Sequence, residues 1–195
     1  MHPLSSVPIP TGFAQRWRHL CRPEVVTPLA HALDTDAARA LDRLVAARRW
    51  DIYRDPFEDA DHFHAYLADT SGALMWAAAQ ALGAGAEAEA PVRAFGSATG
   101  LARFLQAVPE LEAQKRVPLV DGRAEAIAAL CRETLSTLPT RAALRRAAGP
   151  GAPALTEGFL TQAILKQAAR DPGRVAAGAL QINPARQSLL LWRWS

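Results

Sequence analysis

Between Arg49 and Leu67 the chain reads RWDIYRDPFEDADHFHAYL, which places five carboxylates (Asp51, Asp55, Glu58, Asp59, Asp61) and two imidazoles (His62, His64) in one short stretch. Carboxylate oxygens and imidazole nitrogens are ligands for divalent cations, and suitably paired they act as general acids and bases. Asp59-x-x-His62 and Asp61-x-x-His64 have a spacing used by metal-binding helices, so Asp59 and His62 are the candidate metal ligands. Such a site also needs ligands from other helices, and no second acidic or histidine pair is evident. The same residues read as a helix start, with Asp55 as the cap, Pro56 at the first position and Glu58 as the third-position acid. The remaining carboxylates would complement the positive end of the helix dipole. On a helical wheel Glu58 and Asp61 fall opposite the apolar stripe, towards water, and capping accounts for more of the cluster than a cage does.

Other chemically capable residues stand alone. His2, His19 and His31 lie near no serine or cysteine that they would activate. Cys21 and Cys131 are far apart without CxxC spacing, which gives neither a zinc pattern nor a disulfide framework and fits a reducing cytoplasm. Cys131 is expected as a small core residue. Gly96 and Gly100 form GxxxG, which could leave room for a ligand tail but more commonly serves close helix packing.

The elements that must position these residues are helices. In 195 residues, half hydrophobic and 7% aromatic, alanine and leucine dominate and β-branched residues are few, a mix that favours an all-α fold. The length suits a single domain over residues 1–195 with an irregular, Pro-rich start over 1–12. The net charge of +3 is spread among interleaved acids and bases, without the basic stripe of a nucleic-acid binder. No run is long and apolar enough to span a bilayer, and the opening residues lack the order of a secretory signal, so the expected location is cytoplasmic.

Residues 12–20 suggest a short amphipathic turn or helix. Asp34 and Asp36 are candidate caps of a helix with Leu41, Leu44 and Val45 on one stripe, closed by Trp50 and Tyr53. Phe63, Tyr66, Leu67, Thr70, Leu74, Ala77, Ala78 and Ala81 recur at three- and four-residue intervals and predict a long helix stopped by Gly83. Residues 83–90 read as a flexible link. Ala94, Ser97, Ala98, Leu101, Phe104, Leu105 and Val108 predict the next helix, which Pro109 should kink or end. Further helices are expected from about Ala124 to Leu138, after Thr140, and, as the last long one, through Leu155, Phe159, Leu160, Ala163, Ile164 and Ala168.

The order of these segments resembles the squalene/phytoene synthase family. LDRLVAARRWDIY, FEDADHFHAYLADTSGALMWAAAQALG and VRAFGSATGLARFLQAVPELEAQKRVPLV carry the likeness over roughly residues 38 to 120, with a looser likeness in LTQAILKQAARDPGRVAAGAL. The resemblance implies an isoprenoid-synthase-like helical bundle around a central cavity. It also implies head-to-head joining of two isoprenyl diphosphates, with magnesium held by two Asp-rich helices. The family's second Asp-rich helix reads approximately N-I-L-R-D-V-x-E-D, whereas residues 103–111 here read RFLQAVPEL. Both aspartates are replaced, and only Glu110 of the acidic trio remains. Arg116 matches the arginine of the family's G-R-x-Y-L-P, with Pro118 in place of its tyrosine, and Asp51 matches a shared aspartate. Asp51, Glu110 and Arg116 are therefore the remnant catalytic candidates. The first Asp-rich motif would lie upstream of RWRHL, where only a dozen residues stand, so an N-terminally truncated bundle is expected.

Diphosphate ionisation requires Mg²⁺ and oxygen ligands to hold it. The expectation is a family member that has lost prenyl transfer, takes no cofactor and acts as a binding or assembly scaffold, similar to a branch that assists assembly of respiratory complex I. The alternative is an isoprenoid-condensing transferase using Mg²⁺ through Asp51, Glu110 and the 55–61 cluster, and a blunter one is a decaying remnant with exposed apolar surface. Possible ligands are an isoprenoid or another lipid. The tail SLLLWRWS (188–195) puts Trp192 and Trp194 beside Arg193, which suggests a protein partner or a peripheral place at the inner face of the membrane, or packing back on the core.

Overall fold

The computed structural model describes Pro28, residues 35–53 and residues 55–194. The expected turn over 12–20, the start over 1–12, and His2, His19, Cys21, His31 and Asp34 lie outside the described residues, as does the side chain of Tyr53.

All regular structure among the described residues is helical. The main elements are α1 (Thr35–Ala47), α2 (Trp50–Tyr53), α3 (Ala60–Leu67), α4 (Ala73–Ala81), α5 (Glu89–Ala113) and α6 (Ala124–Thr137). After them come α7 (Arg141–Ala148), α8 (Thr161–Arg170), α9 (Gly173–Ala176) and α10 (Pro184–Trp194). The axis of the bundle is α5. It buries Val92, Phe95, Ala98, Leu101, Ala102, Phe104, Leu105 and Val108, and so runs through both apolar clusters of the core. Its buried surface is wider than the single stripe expected, and Ala94 lies outside it, exposed.

Between α3 and α4 the helix does not stop but widens into a π turn over Ala68–Gly72, with helical dihedrals at both joints. A π turn accommodates one extra residue, so the apolar phase moves on by one. Phe63, Tyr66, Leu67 and Thr70 are buried as the pattern predicts; beyond the turn the buried residues are Ala73, Met75, Trp76, Ala77 and Ala79. Leu74, Ala78 and Ala81, expected inside, face solvent, Leu74 at 52% exposure. Inside the turn the Thr70 hydroxyl donates to the Tyr66 carbonyl at 2.6 Å, a bond that bends helices. The helix ends as expected before Gly83, whose φ of +97° is a conformation that costs glycine little.

The π turn lies against α5 at the GxxxG pair. A Cβ on Gly96 would stand 2.8 Å from the Ser71 carbonyl oxygen and 2.9 Å from the Gly72 Cα, and one on Gly100 would stand 2.6 Å from the Ser71 Cβ. Close packing, not a berth for a ligand, occupies that pair.

Several boundaries differ from expectation. Residues 83–90 are not a free link: a 3₁₀ turn covers Ala86–Ala88, Ala88 is fully buried and α5 begins at Glu89. Pro109 does not end α5, which continues to Ala113. Local strain from a helical proline is a few kcal/mol, and burial along most of this helix outweighs it. Val45 is 38% exposed while Ala37, Ala38 and Ala40 form the inner face of α1. The helix expected through Leu155 and Phe159 is 3₁₀ over Gly149–Gly158, where Pro150 and Pro153 remove donors, and becomes α only from Thr161. It is not the last, since α9 and α10 follow. Cys131 is fully buried, and burial pushes its thiol up to about 11.

The aromatic tail divides. Trp194 is buried and stacks on Phe95 with ring centroids 5.2 Å apart, and Arg145 donates to its backbone carbonyl. For Trp194 the outcome is the alternative of packing back on the core, where it closes the second core cluster. Trp192 is 75% exposed.

Candidate functional site

Two of the three remnant candidates meet. The chain leaves α5 through Gln114 into Lys115, whose φ of 60° is left-handed. The Arg116 N–H then bonds back to the Leu111 carbonyl at 3.0 Å and the Lys115 N–H to that of Glu112 at 2.8 Å. This pairing is a Schellman cap with lysine where glycine is usual, and it turns Arg116 inward. There Arg116 is only 8% exposed. Its Nη2 donates to the Trp50 carbonyl at 2.9 Å, its Nη1 to the Asp51 carbonyl at 3.2 Å, and its guanidinium lies 3.9 Å over the Trp50 ring. A planar fork suits this combination of two carbonyls and an aromatic face.

The Asp51 carboxylate faces the other way. Oδ1 accepts from the Tyr66 hydroxyl at 3.1 Å and Oδ2 from Arg48 Nη1 at 3.0 Å. Burial pushes the Tyr66 phenol up to about 12; the Asp51 charge adds to the rise, and Arg48 opposes it. Below this network Trp50 stacks on Phe57 at 4.3 Å, and Phe63, Tyr66 and Phe104 complete an aromatic floor. With both oxygens engaged by a guanidinium and a phenol, Asp51 ties α2 to α3.

Glu110 stands apart. It is exposed on α5 and accepts from Gln114 Nε2 at 2.9 Å. Ala107 and Leu111, set by the resemblance against the motif's two aspartates, supply no oxygen ligand.

Asp59 is the cap of α3: its side chain accepts from the His62 N–H at 2.7 Å. The cap expected at Asp55 is thus four residues too early. Phe57 is drawn into the aromatic floor, so residues 55–57 run without helical structure and the helix starts only at Ala60. His62 Nδ1 accepts from the Glu58 N–H at 3.4 Å, so both candidate metal ligands are occupied at the helix entrance. Replacing Asp59 with alanine should lower stability by about 1 kcal/mol, whereas Asp55→Ala should change it by less than about 0.5 kcal/mol. Chemical denaturation of the two variants checks this, and the reverse order would restore Asp55 as the cap.

Among the described residues no group of three or more His, Cys, Asp or Glu could hold a metal ion. The described carboxylates do not converge into the oxygen cage that a magnesium–diphosphate cluster needs. Two clefts escaped the sequence reading. One, of about 380 Å³ between α1, α4 and the start of α5, is lined by Arg39, Arg43 and Arg93. These arginines face Asp36 at 3.1 Å, Asp69 at 3.8 Å and Glu89 at 2.7 Å respectively, so each positive charge is matched. The other, about 230 Å³ between α3, α5 and α6, has His64, Ser97, Glu133 and Thr134 around an apolar base. The three- and four-residue spacings of Asp36, Arg39 and Arg43 and of Glu89 and Arg93 in the first cleft lie within single helices, and which helices face one another across either cleft is set by tertiary packing.

A family model described as Squalene/phytoene synthase matches residues 13–148. The looser likeness over 160–180 lies outside that match. No curated protein and no solved structure matches the chain.

Proposed function

Because the chain belongs to the squalene/phytoene synthase family, we propose that it keeps an all-α, isoprenoid-synthase-like scaffold, has given up prenyl transfer, and works as a binding or assembly protein. The observation that carries this reading is the placement of the remnants. Asp51 is engaged by Arg48 and Tyr66, Arg116 by the Trp50 and Asp51 carbonyls, and Glu110 lies exposed beside Gln114. Head-to-head condensation needs several carboxylates converging on Mg²⁺, so that the metal neutralises the leaving diphosphate. A catalyst built here would have to gather Asp51, Glu110 and the 55–61 carboxylates from separate places, and Asp59 is already spent as a cap.

Assembly of a respiratory complex is the finer form of this proposal. It rests on similarity to the branch with that role, and the ligand such a scaffold would carry is an isoprenoid or another lipid.

Incubation with farnesyl or geranylgeranyl diphosphate and Mg²⁺ tests the central claim. The expected result is no pyrophosphate release above the protein-free blank. Sustained release beyond one equivalent per chain would overturn it in favour of the transferase.

A further inference from the structure

The helix α10 is attached by one side only. Leu190 packs against the core and Trp194 stacks on Phe95. On the other side Leu189 and Trp192 stand three residues apart, and Arg186 and Arg193 flank them towards the attached side. Leu189 is 56% and Trp192 75% exposed, with Leu191 beside them at 41%. A tryptophan held out to solvent on a helix whose other tryptophan is buried is not explained by the core.

The two chain segments that meet here carry charge of one sign. Residues 141–156 and 184–194 contain Arg141, Arg145, Arg146, Arg186 and Arg193 and no aspartate or glutamate. Arg145 is bound to the Trp194 carbonyl, which fixes α7 against the end of α10. Arg141 and Arg193 line one recess of about 110 Å³ with Leu190 and Trp194. Among the described residues neither they nor Arg186 form an ion pair, and the nearest acid in sequence, Glu157, is already paired with Arg103.

We infer that the Leu189–Trp192 face of α10, with its flanking arginines, is a docking surface for an anionic lipid bilayer. An indole favours the headgroup level, arginines reach from an apolar face to phosphates, and a clustered positive charge is attracted to anionic lipid. A second copy is a poorer occupant, because a two-fold contact would set this all-basic surface against itself. No helix among the described residues is long and apolar enough to cross a membrane, so the contact is a surface one.

Flotation of the full chain with vesicles tests this. It should bind phosphatidylcholine vesicles containing phosphatidylglycerol roughly tenfold better than phosphatidylcholine alone, and binding should fall with salt. Leu189→Ser with Trp192→Ser should abolish binding while thermal unfolding stays unchanged. Arg186→Gln with Arg193→Gln, which leaves the apolar face intact, should weaken it severalfold. Failure of the wild-type chain to bind anionic vesicles would overturn the proposal, as would undiminished binding by the serine variant. So would a concentration-dependent dimer that the serine variant abolishes.

Discussion

Replacing Gly96 by alanine is expected to destabilise the protein by about 1–3 kcal/mol, and by leucine by more, although either residue is a better helix former than glycine. Helix propensity alone predicts a gain of about 1 kcal/mol for Gly→Ala. The sign is reversed by what the new methyl meets: the Ser71 carbonyl oxygen at 2.8 Å and the Gly72 Cα at 2.9 Å, both backbone atoms that no rotamer change can move. Gly100 makes an informative contrast, because a Cβ there meets the side chain of Ser71. Gly100→Ala should be destabilising alone and relieved by Ser71→Gly, whereas Ser71→Gly should not rescue Gly96→Ala. A double-mutant cycle by urea unfolding reads this directly. Equal rescue at both positions would mean that the π turn and α5 do not approach as closely as described.

The second large effect concerns Arg116. Its two carbonyl bonds and its stacking on Trp50 are made in a nearly dry environment, where bonds from a charged donor contribute about 1.5–3 kcal/mol each and do not simply add. Arg116→Ala is expected to cost about 3 kcal/mol, a fall in melting temperature of roughly 6–12 °C for a chain of this size. Arg116→Lys should recover little, because one ammonium cannot span both carbonyls while lying flat on the indole. Thermal unfolding followed by circular dichroism measures both. A lysine variant as stable as the parent would show that the positive charge, and not the planar fork, holds α2.

These two sites show what was legible in the sequence. The helical class, the stop at Gly83, the helix after Thr140, and the close approach at GxxxG follow from local rules, and the structure keeps them, adding that the Thr140 hydroxyl caps its helix by accepting from the Ala143 N–H at 3.3 Å. The failures have a common cause in tertiary contacts that local rules do not contain. Asp55 loses the cap because Phe57 is pulled onto Trp50. Pro109, expected to kink or end α5, leaves the helix running on to Ala113, anchored by the buried residues from Val92 to Val108 that precede it. Trp194 and Trp192 look alike as neighbours of Arg193, yet one meets Phe95 and the other water. At the candidate site, residue types could be matched to a motif, and Asp51 and Arg116 do fall together. Their contact through a backbone carbonyl, and the left-handed Lys115 that aims the arginine, carry no signature in residue type.

The π turn at Ala68–Gly72 has a consequence for descent. A helix of 3.6 residues per turn rotates by about 100° for each residue gained or lost. If the segment closed as regular α-helix with all its residues kept, Leu74 and Ala78 would turn inward and Met75 outward, whereas a one-residue deletion that removed the bulge would leave Met75, Trp76 and Ala79 on the inner face. The turn thus absorbs one residue without moving the frame downstream: a relative lacking that residue would keep the same buried set by running straight through the segment as α-helix.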